Sequence, residues 1–401
     1  MQSSHFFDTF SMMNDSKNLF HNARAIHFIG IGGIGISSIA RMMLLEGKKV
    51  SGSDINESEV TKELARLGAK VKIGHKKKNL RPETDLVIYT VAVSEDNPEL
   101  IRSRELKIKT LTYPETLGLI SKNFYTVAIS GTHGKTTTTA MTAKIFVDAG
   151  LKPTAIIGSL LKDARSNFIA GKGKYFIVEA CEYKRSFLNL EPKILAVTNI
   201  DNDHLDYYKN LKDIQKAFAE MTSKIPKDGF LVCDPKDSKI KPILKSAQGR
   251  IIDYNNVRDK FNLKLPGRHN IENAKTAFAI AEILDIPPKK IVASLESYEG
   301  VWRRFDFKGP AKTGALVYDD YAHHPTEIKT TLQSFREKFP ERRLMVVFQP
   351  HLFSRTKILL NEFAESFKDA DEVILAPIYA AREKDDGSIN SNVLAEKIRQ
   401  N

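Results

Sequence analysis

Residues 126–141, TVAISGTHGKTTTTAM, decide the fold. A short β-rich run leads into a glycine turn, residues 131–134, which opens onto Lys135 and Thr136. Met141, Ile145 and Ala149 then recur four apart, the spacing of a helix with one apolar face, and Gly150 can end it. Strand, glycine turn and helix in that order make a phosphate cradle. Backbone N–H groups of Gly131, Thr132, His133 and Gly134 point at the anion, Lys135 reaches the β- and γ-oxygens, and the Thr136 hydroxyl suits Mg²⁺. The strict G-x-x-x-x-G-K-[ST] spacing fails, because Ile129 stands where its first glycine belongs; this is a shortened form of the same device.

Upstream, residues 25–47 repeat the arrangement as AIHFI-GIGGIG-ISSIARMMLLEG. Gly30, Gly32 and Gly35 fit G-x-G-x-x-G, with Gly33 added, and the pattern suits a nucleotide diphosphate on a helix N-terminus. Asp54 closes the following strand, about where an acidic residue reads a ribose hydroxyl. A nicotinamide-dependent oxidoreductase is the competing reading of this half, but it leaves the second glycine turn unexplained.

Downstream, YFIVEACEY puts Glu179 at the end of an apolar strand, and AVTNIDNDH ends the next with Asn199, Asp201, Asp203 and His204. Active sites of open α/β sheets collect at such strand ends. One carboxylate and one hydroxyl beside the phosphates suffice for Mg²⁺, which keeps several waters. Cys181 has no His close in sequence and reads as a small buried residue rather than a nucleophile.

Strands and helices alternate from Ala25 onward, the mark of α/β folds. At about 150 residues per domain, 401 residues make two or three domains. We expect a flexible tail over 1–23, a sugar-nucleotide domain over 24–121, a central ATP-binding domain over 122–307 and a C-terminal domain over 308–401. The last holds about two and a half β–α units and reads as incomplete. The tail lacks a basic region followed by an apolar one, so it is no signal peptide, and no run of about 18 apolar residues suggests a membrane span. Two cysteines rule out a disulfide scaffold and point to a reducing cytoplasm. A net charge of +12 suits acidic partners. The one tight cluster, Lys76, Lys77 and Lys78, has no interleaved aromatics, so no nucleic-acid partner is expected.

The series GIGGIG, GSD, DNPE, GTHGKTTT, EACEY, TNIDNDH, PGRHNIENA, RRF, DDYAHHPTE and FQPHLFSRT, in this order, resembles the Mur ligases over roughly residues 25–400. The resemblance implies three α/β domains: a Rossmann-like N-terminal one for a UDP-sugar, a P-loop-type central ATPase, and a Rossmann-like C-terminal one. Within the family it implies the branch that joins L-alanine to UDP-N-acetylmuramate through an acyl phosphate, with ATP and Mg²⁺, in peptidoglycan precursor synthesis. A ligase that attaches a recycled murein peptide shares these motifs, and a non-catalytic remnant is the further alternative.

Carried over by position, Gly131, Thr132, His133, Gly134, Lys135, Thr136 and Thr137 match the triphosphate loop. Thr136, Glu179 and His204 match magnesium-linked groups. His269, Asn270 and Asn273 match adenine contacts, Arg304 a nucleotide-facing arginine at a hinge, and Asp320 a nucleotide- or ammonium-facing acid. His323, His351 and Arg355 match groups near the amino acid and the reacting carboxylate, while Gly30, Gly32, Gly33, Gly35 and Asp54 match the sugar-nucleotide turn. Two departures stand out. Phe218 occupies the position of the carbamylated lysine found in other branches, and Leu352 follows QPH where arginine is common.

Overall fold

The computed structural model describes residues 19–20, 22–162, 166–258, 260–381 and 383–401. Most of the tail expected over 1–23 lies outside these residues. Its end does not behave as a tail: Phe20 and Ala23 are buried in the first core, because an aromatic side chain close to β1 finds an apolar face to cover.

Two of the four sheets among the described residues carry the glycine turns. The first joins β1 (Ala25–Ile29), β2 (Lys49–Asp54), β3 (Lys70–Ile73), β4 (Leu86–Tyr89) and β5 (Lys109–Thr112), all parallel, in the order β3-β2-β1-β4-β5. The order reverses between β1 and β4, and the glycine turn after β1 opens into that switch point.

The second sheet joins β6 (Tyr125–Ser130), β7 (Thr154–Leu161), β8 (Ser166–Ile169), β9 (Tyr175–Glu179), β10 (Ile194–Val197), β11 (Phe230–Cys233) and β12 (Arg250–Asp253), in the order β12-β11-β10-β6-β9-β7-β8. Its central strands β6, β9 and β10 are largely apolar and buried because both faces are covered. Ala128, Val178, Leu195 and Leu231 pack into one core, and their neighbours Val127, Ile129, Ile177, Ile194 and Val232 into the other. The ends of β6, β9 and β10 are adjacent, so the turn at Gly131, the carboxylate of Glu179 and residues 198–204 meet at one edge.

The helix Lys135–Asp148 begins with four successive threonines, which are poor helix formers. Packing and side-chain bonds override that preference: Thr139 Oγ1 donates to Lys135 O and Thr142 Oγ1 to Thr138 O, each at 2.8 Å. The helix packs against Arg268–Glu282 and Pro288–Ser297 over the second core.

The remaining strands are β13 (Asp306–Pro310) and β14 (Leu316–Asp319), an antiparallel pair, and β15 (Met345–Phe348) and β16 (Glu372–Leu375), a parallel pair. A boundary at residue 308 would split β13. The chain turns earlier, where Arg303 and Phe305 carry positive φ values of 57° and 46°. In the parallel pair Phe348 and Leu375 face the small third core, while Val347 and Ile374 face outward. Phe218 is fully buried against Phe187, their ring centroids 5.2 Å apart, so it belongs to packing and not to a metal site. No described helix is long and apolar enough to cross a membrane.

Candidate active site

Gly131 and Gly134, at φ 128° and 82°, let the second turn curl back over β6. A Cβ on Gly131 would collide with Thr198 Oγ1, and one on Gly134 with Asn273 Oδ1. The turn is braced from β10: Asn199 Oδ1 accepts the His133 N–H at 2.9 Å, and Thr198 Oγ1 donates to His133 O at 2.6 Å. Lys135 is folded into this turn. Its ammonium donates to Gly131 O at 2.5 Å and Thr132 O at 3.0 Å, and lies 3.0 Å from Glu182. Burial alone would lower its pKa, but the carboxylate of Glu182, with Cys181 and Glu179 nearby, leaves it raised. The lysine is fully charged and held at the mouth of the cradle by a residue the motif reading passed over.

A cavity of about 370 Å³ opens from this turn toward the C-terminal unit. Thr136 and Thr137 line one end; His269, Asn270 and Asn273 line another; Arg304 and Asp320 close the far wall. The asparagines are set by protein contacts, Asn270 Nδ2 to Pro266 O at 2.7 Å and Asn273 Oδ1 from Thr138 Oγ1 at 3.1 Å. His269 Nδ1 is buried without a hydrogen-bond partner, and burial beside Arg304 pushes its pKa down to about 4. A neutral imidazole with an open nitrogen suits a heteroaromatic base. Asp320 accepts the N–H groups of Phe305 at 2.7 Å and Ala322 at 2.8 Å, so it ties the 303–305 turn to β14. Its pKa is raised, chiefly by burial.

A second cavity, about 200 Å³, lies between the first and second sheets and is lined by Gly35, Tyr113, Gly158, Glu179 and Cys181. Cys181 is exposed into this cleft, not buried as the sequence suggested, because the chain after β9 turns toward the first domain. Desolvation within the cleft, with Glu182 nearby, pushes its thiol up to about 12 and so favours the protonated form. One hydrogen bond joins the linings of the two cavities. Thr136 Oγ1, which lines the first, donates to Glu179 Oε2, which lines the second, at 2.8 Å. This hydroxyl–carboxylate pair is an oxygen donor set that fits Mg²⁺. His204 is the third group expected there. Its Nε2 lies 3.7 Å from Glu182 and 3.8 Å from Asp203, and its φ is 54°.

The first glycine turn is built differently. Gly30 N and Ile31 N both donate to Ser53 O, and Gly32 N donates to Asp54 Oδ2 at 2.8 Å. Asp54, expected to read a ribose, thus braces its own turn. Gly33 caps the following helix without a side-chain bond, and a Cβ on Gly35 would sit 2.7 Å from the Tyr113 ring.

His323, His351 and Arg355 do come together: the two rings are 5.7 Å apart and His351 Nδ1 is 3.3 Å from Arg355 Nη1. Arg355 is committed to Asp203 Oδ1 at 2.8 Å, and the neighbouring His204 and Arg355 hold the Asp203 carboxyl well below the usual range against the cost of burial. His133, Asp201 and His324 place possible ligand atoms within 4.8 Å of one another. Both ring nitrogens of His324 are already taken, by Asn202 O at 2.8 Å and by the Thr326 N–H at 3.2 Å, so the trio is a hydrogen-bonded junction rather than a metal centre.

Residues 25–125 match the Mur ligase family catalytic domain, 129–256 the Mur ligase middle domain, and 303–401 the Mur ligase glutamate ligase domain. The chain is 45% identical to a UDP-N-acetylmuramate–L-alanine ligase of Clostridium botulinum (strain Okra / Type B1), over 94% of this chain and 87% of that protein. With the same-named protein of Clostridium acetobutylicum it shares 44% identity, over 98% and 90%. Among solved structures it is similar to UDP-N-acetylmuramate-alanine ligase MurC of Thermotoga maritima, at TM-score 0.79, 29% identity and coverage of 94% and 88%. It is also similar to a murein peptide ligase of Psychrobacter arcticus, at TM-score 0.72, 26% identity and coverage of 88% and 84%.

Proposed function

The chain belongs to the Mur ligase family, and from that premise we infer a UDP-N-acetylmuramate–L-alanine ligase that uses ATP in peptidoglycan precursor synthesis. The observation that carries the chemistry is the Thr136–Glu179 hydrogen bond, where the two cavities touch. A triphosphate lying in the first cavity and a sugar carboxylate entering by the second approach each other there.

The lactyl carboxylate oxygen attacks the γ-phosphorus, the bond from that phosphorus to the bridging oxygen breaks, and ADP leaves. The alanine amine then attacks the acyl carbon, the tetrahedral species expels phosphate, and the nitrogen sheds a proton as the amide forms. Phosphorylation supplies the leaving group that a carboxylate lacks; the protein positions the groups and neutralises charge. Lys135 is the cation for the transferring phosphoryl group, released from Glu182 when phosphate oxygens arrive. His269, Asn270 and Asn273 hold the base, with Arg304 and Asp320 at the hinge. Gly30, Gly32, Gly33 and Gly35 shape the diphosphate end of the UDP-sugar. His323, His351 and Arg355 surround the acceptor. Thr136 and Glu179, with His204, would hold Mg²⁺, which would neutralise charge on the phosphates. Both nucleotides are cytoplasmic metabolites, and the activity belongs in the cytoplasm.

A coupled assay tests this: ADP release must require UDP-N-acetylmuramate and L-alanine together. ADP formed without the sugar nucleotide overturns it. The likeness to a murein peptide ligase motivates a second reading, in which the acceptor is a peptide. Competition between L-alanine and the tripeptide as acceptors separates the two.

A further inference from the structure

Three consecutive residues after β10 each receive one partner from the C-terminal unit. Thr326 Oγ1 donates to Asp201 Oδ2 at 3.0 Å, His324 Nε2 to Asn202 O at 2.8 Å, and Arg355 Nη2 to Asp203 Oδ1 at 2.8 Å. A fourth contact comes from the triphosphate turn itself. His133 Nδ1 lies 3.2 Å from Glu327 Oε1, across 194 residues of chain. The other oxygen, Glu327 Oε2, accepts the backbone N–H of His323 at 3.1 Å and lies 3.4 Å from the His323 ring. One carboxylate therefore grips the phosphate loop with one oxygen and an acceptor-side histidine with the other.

We propose that Glu327 is a positioning residue that couples the triphosphate turn to His323, so that the acceptor site is in register only while the turn is in its phosphate-binding shape. This deepens the ligase reading and rests on it. Helix stability does not explain the residue. The helix Pro325–Lys338 is already capped by the His324 side chain, and an acid in a first turn needs only solvent and the helix dipole, not a nearly buried seat between two histidines. The electrostatics agree with the geometry. His133 faces Asp201, Glu327 and the His324 ring, with Lys239 bound to the far side of Asp201. Burial alone would lower its pKa, yet the two carboxylates raise it to about 9, so it is an imidazolium at neutral pH. Glu327 in turn feels His323, His133 and Arg304, which hold its carboxyl well below the ordinary value against the cost of burial.

The test uses the full-length enzyme with Glu327→Gln and Glu327→Asp. Glu327→Gln should lower kcat/KM for alanine about tenfold, leave KM for ATP within about twofold, and move the alkaline limb of the alanine pH profile to lower pH, because His133 loses a carboxylate. Glu327→Asp, which keeps the charge, should restore part of the alanine term. Equal loss in the ATP and alanine constants, an unmoved alkaline limb, or a Glu327→Gln chain that no longer folds by thermal melting would each overturn the coupling in favour of a merely structural role. Wild-type enzyme that releases no ADP with both substrates present would refute the ligase reading instead, so the two failures are distinguishable.

Discussion

The two glycine turns share a layout and differ in chemistry. Each follows a parallel strand and opens a helix. In the first, Gly30, Ile31 and Gly32 direct their N–H groups to Ser53 O and Asp54, inside the domain, so the turn offers shape and a helix terminus. In the second, Thr198 and Asn199 hold the turn from the side, and a partly buried lysine waits in its mouth. The lesson is that a glycine pattern specifies a backbone path. Charge for a transferring phosphoryl group comes from what the neighbouring strands place around that path.

The largest expected difference comes from Lys135→Ala. It should reduce phosphoryl transfer by more than about a thousandfold, since the developing charge loses its cation. UDP-sugar affinity, measured by isothermal titration, should stay within about threefold; parallel loss of both would break the contrast between the turns. Gly134→Ala comes next. Its positive φ and the clash with Asn273 should cost about 1–3 kcal/mol in denaturant unfolding and weaken ATP binding selectively. Gly35→Ala should do the reverse, lowering UDP-sugar affinity about tenfold through the Tyr113 ring while ATP affinity holds.

Asp54 sharpens the comparison. Asp54→Asn, which keeps an acceptor for the Gly32 N–H, should bind UDP-sugar nearly as the wild type does. Asp54→Ala leaves that donor unpaired and should cost about 1–2 kcal/mol of stability. If instead Asn is as harmful as Ala in titration, the carboxylate reads the ligand after all. The smallest effect is on pH. The His133 pKa is raised above its ordinary value of about 6.5, so the stability it contributes is complete below that pH and is lost as pH rises through about 9. Thermal melts of wild type and His133→Asn should therefore converge between pH 7 and pH 10; parallel curves would remove the imidazolium from the junction.

Much of this architecture was legible in the sequence. The strand–turn–helix pattern located β1 and β6, and the acids at strand ends located Glu179 and the 199–204 loop, because parallel sheets align their carboxyl ends. What spacing does not carry is which acid faces which cation. Glu182 lies three residues past Glu179, yet the turn after β9 sends it to Lys135 while Glu179 goes to Thr136. Glu327 belongs to the string DDYAHHPTE that carried the family resemblance, but its partner lies in another domain, and no local pattern announces that. Cys181 was misread for the same reason: the cleft that exposes it exists only once the first and second sheets are packed together. His204 lies near Glu182 and Asp203 through a backbone turn at its positive φ, contacts that its spacing in the sequence does not announce.

The proposed reaction brings carboxylate and γ-phosphoryl into contact beside the Thr136–Glu179 hydrogen bond, which joins the linings of the two cavities. UDP-N-acetylmuramate carrying ¹⁸O in its lactyl carboxylate, turned over with ATP and L-alanine, tests it most directly. Direct attack by the carboxylate predicts one labelled oxygen in each inorganic phosphate released. Unlabelled phosphate, with amide formed, would contradict it.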